Sequence, residues 1–118
     1  MNKTQVTLTG LVATTPRQAN WIEDTKQTAF RLVTVEGEGE SSKTNWLTIY
    51  CYGQLAENVF LSIEKGNRVI ISGDLEVNDW DNGERTGTSV EVVANAIGYD
   101  LTHGTSVNTR VFNAEVMA

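Results

Sequence analysis

The sequence predicts an all-β domain: a small closed barrel of five strands with one short helix between the third and the fourth. Three observations predict it. Apolar and polar residues alternate with a period of two through most of the chain, the period of strands with one buried face. Only one stretch, residues 54–63, changes to a helical period. The length, 118 residues, suits one domain, which at this size needs no metal or disulfide staple.

The elements follow in order. Val6, Leu8, Gly10 and Val12 alternate with Gln5, Thr7 and Thr9 in a half-buried first strand. Thr14-Thr15-Pro16 stops it, because proline cannot continue a ladder. Residues 17–27 hold Trp21 in a polar stretch and read as a loop or a short strand. Residues 28–35 form the second strand, with Phe30 and Leu32 facing one way and Arg31, Val33 and Val35 the other. Residues 36–42, Glu-Gly-Glu-Gly-Glu-Ser-Ser, make a flexible acidic loop. Residues 45–52 are the third strand. In residues 54–63, Leu55, Val59 and Ile63 recur every four positions with Ala56 and Phe60 beside them, an amphipathic helix closed by Lys65-Gly66. Residues 67–77 and 88–96 are the fourth and fifth strands. Residues 79–87 form the tip between them, with Asp81-Asn82-Gly83 as turn residues. Three strands, a helix and two strands is the order of the Greek-key OB barrel, with the helix plugging one end. A doubly wound fold needs more helices than this chain offers.

Residues 1–101 thus form the domain and 102–118 a C-terminal extension. In the extension Val107, Thr109 and Val111 alternate with Ser106, Asn108 and Arg110. This reads either as a frayed terminus or as an extra strand that pairs with a neighbouring subunit.

Composition narrows the function. No apolar run approaches the ~20 residues of a membrane span. The opening residues lead straight into alternation rather than into an apolar signal segment, so a cytoplasmic protein is expected. One cysteine, Cys51, fits a reducing compartment, and one histidine, His103, excludes a histidine-cluster metal site. Cys51 shares its strand face with Leu47 and Ile49 and reads as a buried core thiol. Gly37-Glu38-Gly39 lacks the third glycine of a dinucleotide loop, and its flanking glutamates repel phosphate. Asn2-Lys3-Thr4 matches a glycosylation sequon without a secretory context. No residue set nominates a reaction, and no cofactor is expected.

The third strand carries the most information. Leu47, Ile49 and Cys51 share an apolar face suited to the barrel interior. Trp46, Thr48, Tyr50 and Tyr52 then share the outer face. Large aromatics on a barrel exterior are costly unless covered, by another subunit or by stacked nucleobases. Each base stacked on such a ring contributes ~1–3 kcal/mol, whatever its identity. Trp80, beside the hairpin turn, is another ring that the core cannot easily reach. Arg31 is expected on the outer face of the neighbouring strand.

In these features the chain resembles the bacterial single-stranded DNA-binding proteins of the OB fold, especially their actinobacterial forms. The resemblance rests on the first ten residues, Met1 to Gly10, on Val12-Ala13-Thr14-Thr15-Pro16-Arg17 and Phe30-Arg31-Leu32, and on Trp46 through Asn58. Lys65-Gly66-Asn67-Arg68-Val69 and Gly73-Asp74-Leu75 extend it, so that it covers about residues 3–101. It implies that Trp46 and Tyr52 are stacking positions and that Trp80 is the aromatic of the long hairpin. It implies a homotetramer that binds and protects single strands without base preference, in replication, recombination or repair. It implies no catalytic activity, and a clamp strand gives residues 107–111 a role. The chain departs from the family pattern in three places. Glu76, Asn78 and Asp79 stand where basic residues usually flank the hairpin aromatic, and Gln54 stands where a lysine is often found. The chain stops at Met117-Ala118 without the acidic tail that recruits repair proteins, which puts that recruitment in doubt.

Charge opposes this reading. The formal net charge is −6, from nine Lys+Arg against fifteen Asp+Glu. Phosphate neutralisation supplies much of the affinity of nucleic-acid binders. The candidate contacts are Lys3, Arg17, Arg31, Lys43 and Arg85. Stacking and avidity between linked subunits can offset a shortage of cations. The competing reading is an OB assembly module that binds nucleic acid weakly or not at all, with the aromatic face and tail serving interaction only.

Overall fold

The computed structural model describes residues 4–19, 26–37 and 39–111. Lys3 and Trp21 lie outside the described residues. The alternation read from the sequence becomes β1 (Thr4–Val12), β2 (Arg17–Ala19), β3 (Gln27–Glu36), β4 (Lys43–Tyr52), β5 (Arg68–Asp81) and β6 (Thr86–Tyr99), with helix α1 (Gly53–Ser62) between β4 and β5. The sheet order is β1-β5-β6-β4-β3-β2. It closes on itself where β1 also meets β3, pairing Leu11 with Val33 and Val12 with Leu32. The Ala13 amide extends that seam by donating to the Arg31 carbonyl at 2.8 Å. All neighbouring strands run antiparallel except β4 and β6, which are parallel over Thr48–Tyr50 and Glu91–Val93. This is the expected Greek-key barrel, and β2 adds a short strand on the outer edge of β3.

The interior follows from the pleat. Val12, Phe30, Leu32, Leu47, Ile49, Cys51, Val69, Ile71, Val92 and Ala94 meet at the centre, each from the inward phase of its strand. The helix seals one end with Ala56 and Val59, and Ile63 follows them into the core. Thr28 is the buried polar residue of this interior, and its hydroxyl donates to the Ala56 carbonyl at 2.8 Å. That bond satisfies the hydroxyl and ties β3 to the helix. Gly53 starts the helix at φ 66° while its amide donates to the Lys26 carbonyl, so the chain turns abruptly off β4.

The helix stops earlier than its sequence suggests. Ile63 is already extended, with its side chain drawn into the core, and Lys65-Gly66 belong to the turn that leads into β5. Phe60, expected beside the apolar stripe, is partly exposed. The hairpin also differs. Both strands run farther than the pattern predicts, so the tip shrinks to residues 82–85. Asn82 holds that turn by accepting from the amides of Glu84 and Arg85. The strands beyond the barrel lack a core to face, so their residues do not alternate in polarity and read as a loop.

Residues 104–111 form no strand within the chain, and Val107 is 93% exposed. Leu101–His103 makes a single 3-10 turn before them, capped where Asp100 accepts from the Thr102 amide at 3.0 Å.

Barrel closure depends on close backbone approach at Gly73. The β5–β6 register slips between Ser72 and Gly73, which face Ala96 and Ala94, so that Asn95 of β6 is the extra residue of a bulge. A Cβ at Gly73 would stand 2.2 Å from the Val93 carbonyl oxygen and 2.7 Å from the Ala94 Cα. Neither backbone group can swing away as a side chain would. Gly73→Ala is therefore expected to lower stability by about 1–3 kcal/mol, the usual cost of overpacking, read as a lower urea midpoint at unchanged slope.

Candidate nucleic-acid interface

The inward phase of β4 dictates what its other phase can do. With Leu47, Ile49 and Cys51 committed to the core, Trp46, Thr48, Tyr50 and Tyr52 must stand on the outer face. Trp46 is 53% exposed and Tyr52 50%, so neither ring is taken up by the chain's own interior. Neighbouring strands add to the same face through their register. Arg31 pairs with Thr48, Val33 with Trp46, and Ala29 with Tyr50. The Arg31 guanidinium lies 5.4 Å from the centre of the Trp46 ring. This cation–π contact backs one face of the indole and limits its rotation, while half of the side chain stays open.

Trp80 belongs to the same face, farther out. It is not at the hairpin tip, where its sequence suggests, but within β5, opposite Gly87 of β6. A Cβ at Gly87 would fall 2.4 Å from the indole Cζ2, so the glycine leaves a floor on which the ring lies flat across the neighbouring strand. The ring remains 43% exposed. Arg85 sits in the turn beyond it. Lys43 is exposed at the start of β4, out of phase with the aromatic series. The structure therefore brings Arg31, Trp46, Thr48, Tyr50 and Tyr52 together, sets Trp80 and Arg85 along the hairpin, and leaves Lys43 at the far end of the strand.

Two features of the face escape a strand-by-strand reading. The first is Arg17, which stands among the cations in the sequence but joins the aromatic face through β2, opposite Ala29. The second is Glu91. Its partner in β4 is Thr48 and its partner in β5 is Glu76, so two carboxylates sit side by side on the outer face. Asn78 donates its side-chain amide to Glu91 at 2.7 Å, and the Tyr50 hydroxyl hydrogen-bonds the same carboxylate. Burial raises the Tyr50 pKa above the usual tyrosine range, and Glu91 adds to the rise. The phenol is thus a neutral donor. Cross-strand register could reveal these groupings, but no single strand's sequence contains it.

The arrangement offers flat apolar surfaces separated along a sheet and a few cations. It can receive stacked planar groups linked by an anionic backbone. Among the described residues no group of His, Cys, Asp and Glu is placed to hold a metal ion.

Comparison with known proteins agrees with the geometry. Residues 2–100 match the Single-strand binding protein family. A Tropheryma whipplei protein named single-stranded DNA-binding protein 2 is 36% identical over 114 residues, covering 91% of this chain and 75% of its own. A Streptomyces avermitilis protein of the same name is 32% identical over 117 residues, covering 93% and 73%. Among solved structures, the small single-stranded DNA-binding protein from Streptomyces coelicolor superposes with a TM-score of 0.79 at 30% identity, over 88% of this chain and 100% of that one. The second single-stranded DNA-binding protein from Mycobacterium smegmatis gives 0.76 at 28% identity, over 92% and 100%.

Behind this face, Cys51 is buried, and burial pushes its thiol up to about 12, with a backbone hydrogen bond from Thr28 only partly offsetting the rise. Two outcomes are expected. A disulfide reagent at pH 8 should leave the native thiol unmodified and react fully once urea unfolds the chain. The unfolded thiol ionises near its ordinary pKa of about 8.5, so its contribution to stability, complete below that pH, is lost as the pH rises towards 12. Rapid native reaction at pH 8 would contradict the burial.

Proposed function

This chain belongs to the single-strand binding protein family, and on that footing we propose that it binds and protects single-stranded DNA without base specificity. The observation that carries the reading is the open aromatic row on β4, where Trp46 and Tyr52 each keep half of their surface free outside a barrel already packed within. Bases stack on Trp46 and Tyr52, with Tyr50 and Thr48 between them, and on Trp80 along the hairpin. Arg31, Lys43, Arg85 and Lys3 contact phosphates. Stacking accepts any base, because every base offers a π-face. The work is binding rather than catalysis, and it serves DNA replication, recombination or repair in the bacterial cytoplasm, at the nucleoid. Among the described residues no helix is long and apolar enough to cross a membrane.

The chain works as a homotetramer in this reading. Residues 107–111, which belong to no helix or strand within the chain, form a strand against a neighbouring subunit. Val107 and Val111 supply its exposed apolar side chains. Four subunits gather several aromatic rows on one strand, which offsets the shortage of cations through avidity.

Titration with oligo-dT at low salt should quench the tryptophan fluorescence at micromolar protein. Trp46→Ala and Trp80→Ala should each weaken binding by ~1–3 kcal/mol. No quenching in the native chain would instead favour an OB assembly module whose aromatic face serves interaction alone. Light scattering should give a mass near four times 13.0 kDa. The double variant Val107→Asp, Val111→Asp should lower it, and an unchanged tetramer would remove the clamp from the account.

A further inference from the structure

The outer face is divided by charge in a way that assigns a path to its ligand. Across the sheet, one row of register partners runs Arg17, Ala29, Tyr50, Val93 and Asp74. The next runs Arg31, Thr48, Glu91 and Glu76. Each row begins with a guanidinium on the β2–β3 side and ends in a carboxylate on the β5–β6 side. Tyr50 lies within the first row, and Trp46, opposite Val33, lies one outward position beyond the second.

At the basic end there is an open groove of about 490 Å³. Thr14, Thr15, Arg17, Arg31 and Thr48 line it, and none of its lining residues is acidic. The Thr14 hydroxyl accepts from the Arg31 amide at 2.9 Å, which holds the loop after β1 against β3 and keeps the groove's wall in place. That hydroxyl retains its own proton to donate. Ala29, lying between Arg17 and Tyr50 in the register, contributes only a methyl group, so the space above it stays clear.

We propose that this groove between Arg17 and Arg31 seats a phosphodiester of the bound strand. The seat rests on the single-strand reading above and adds to it a binding site and a direction. The backbone runs along the β2–β3 side, and the bases turn inward onto Trp46 and Tyr50. The carboxylates of Asp74, Glu76 and Glu91 repel phosphate from the opposite side, so the acidic half of the face acts as a rail rather than a defect. Two guanidiniums and the threonine hydroxyls can satisfy the phosphate's oxygens, and guanidinium is the side-chain cation best matched to them.

The test compares the salt dependence of oligo-dT binding, followed by tryptophan fluorescence, in the native chain and in Arg17→Gln, Arg17→Lys and Lys65→Gln. Arg17 is chosen because Arg31 also backs Trp46. Lys65, in the turn before β5, removes the same charge away from the groove. Arg17→Gln should weaken binding several-fold at low salt and lower the slope of log K against log salt by about 0.7 for each phosphate seated. Arg17→Lys should keep most of the slope, and Lys65→Gln all of it. A native slope in Arg17→Gln, or a fall matched by Lys65→Gln, would overturn the seat while leaving single-strand binding intact. Absence of binding by the native chain would instead overturn the reading on which the seat rests.

Discussion

The structure depends on the commitment of one strand phase to the core. Leu47, Ile49 and Cys51 are fully or almost fully withdrawn from water, and they sit opposite Leu32, Phe30 and Thr28 of β3, with Val92 of β6 on the other side of Ile49. A slip of one residue would bury Trp46, Tyr50 and Tyr52 and expose the aliphatic series. The interior has no room for three aromatic side chains, so the register is strongly specified. The exposed rings are therefore a geometric consequence of packing. Several kcal/mol of burial on the inner face hold them outside, on a backbone too stiff to collapse over them. This is how a small barrel presents apolar surface to a ligand without aggregating into its own core.

Charge then refines what the rings can accept. A net charge of −6 argues against binding a polyanion if it is treated as a property of the whole chain. Its distribution matters more. The carboxylates on the outer face gather on β5 and β6, where Glu76 and Glu91 are register partners, while Arg17 and Arg31 stand together on β2 and β3. Within a Debye length of about 8 Å at physiological salt, a phosphate feels its nearest side chains rather than the sum. Tyr50 links the two halves through its hydrogen bond to Glu91, with its ring between the basic and acidic edges.

Much of this was legible in the sequence, for identifiable reasons. The period-two pattern around Leu47, Ile49 and Cys51 has one physical solution, and the structure adopts it. The second strand behaves likewise, with Phe30 and Leu32 inside and Arg31 outside. The single helix was readable from Ala56, Val59 and Ile63, though its end was not. Ile63 leaves the helix because of where its side chain packs, and only the fold determines that. The length of the hairpin is hidden for a related reason. Beyond the barrel, Asn78, Asp79 and Trp80 have no core to face, so alternation vanishes although hydrogen-bonded pairing continues. Trp80 consequently lies flat over Gly87 within a strand instead of standing at a tip. The grouping of Arg17 with Arg31, and of Glu91 with Tyr50, depends on pairing between strands distant in sequence. No local pattern encodes that.

The most direct measurement of the central claim is photo-crosslinking of an iodouracil-substituted oligo-dT to the native chain, with the modified residues located by peptide mass spectrometry. The account predicts adducts at Trp46 and Tyr52 on the outer phase of β4, with further adducts at Trp80. Adducts confined to the opposite side of the β5–β6 hairpin, around the exposed Val77, would contradict it.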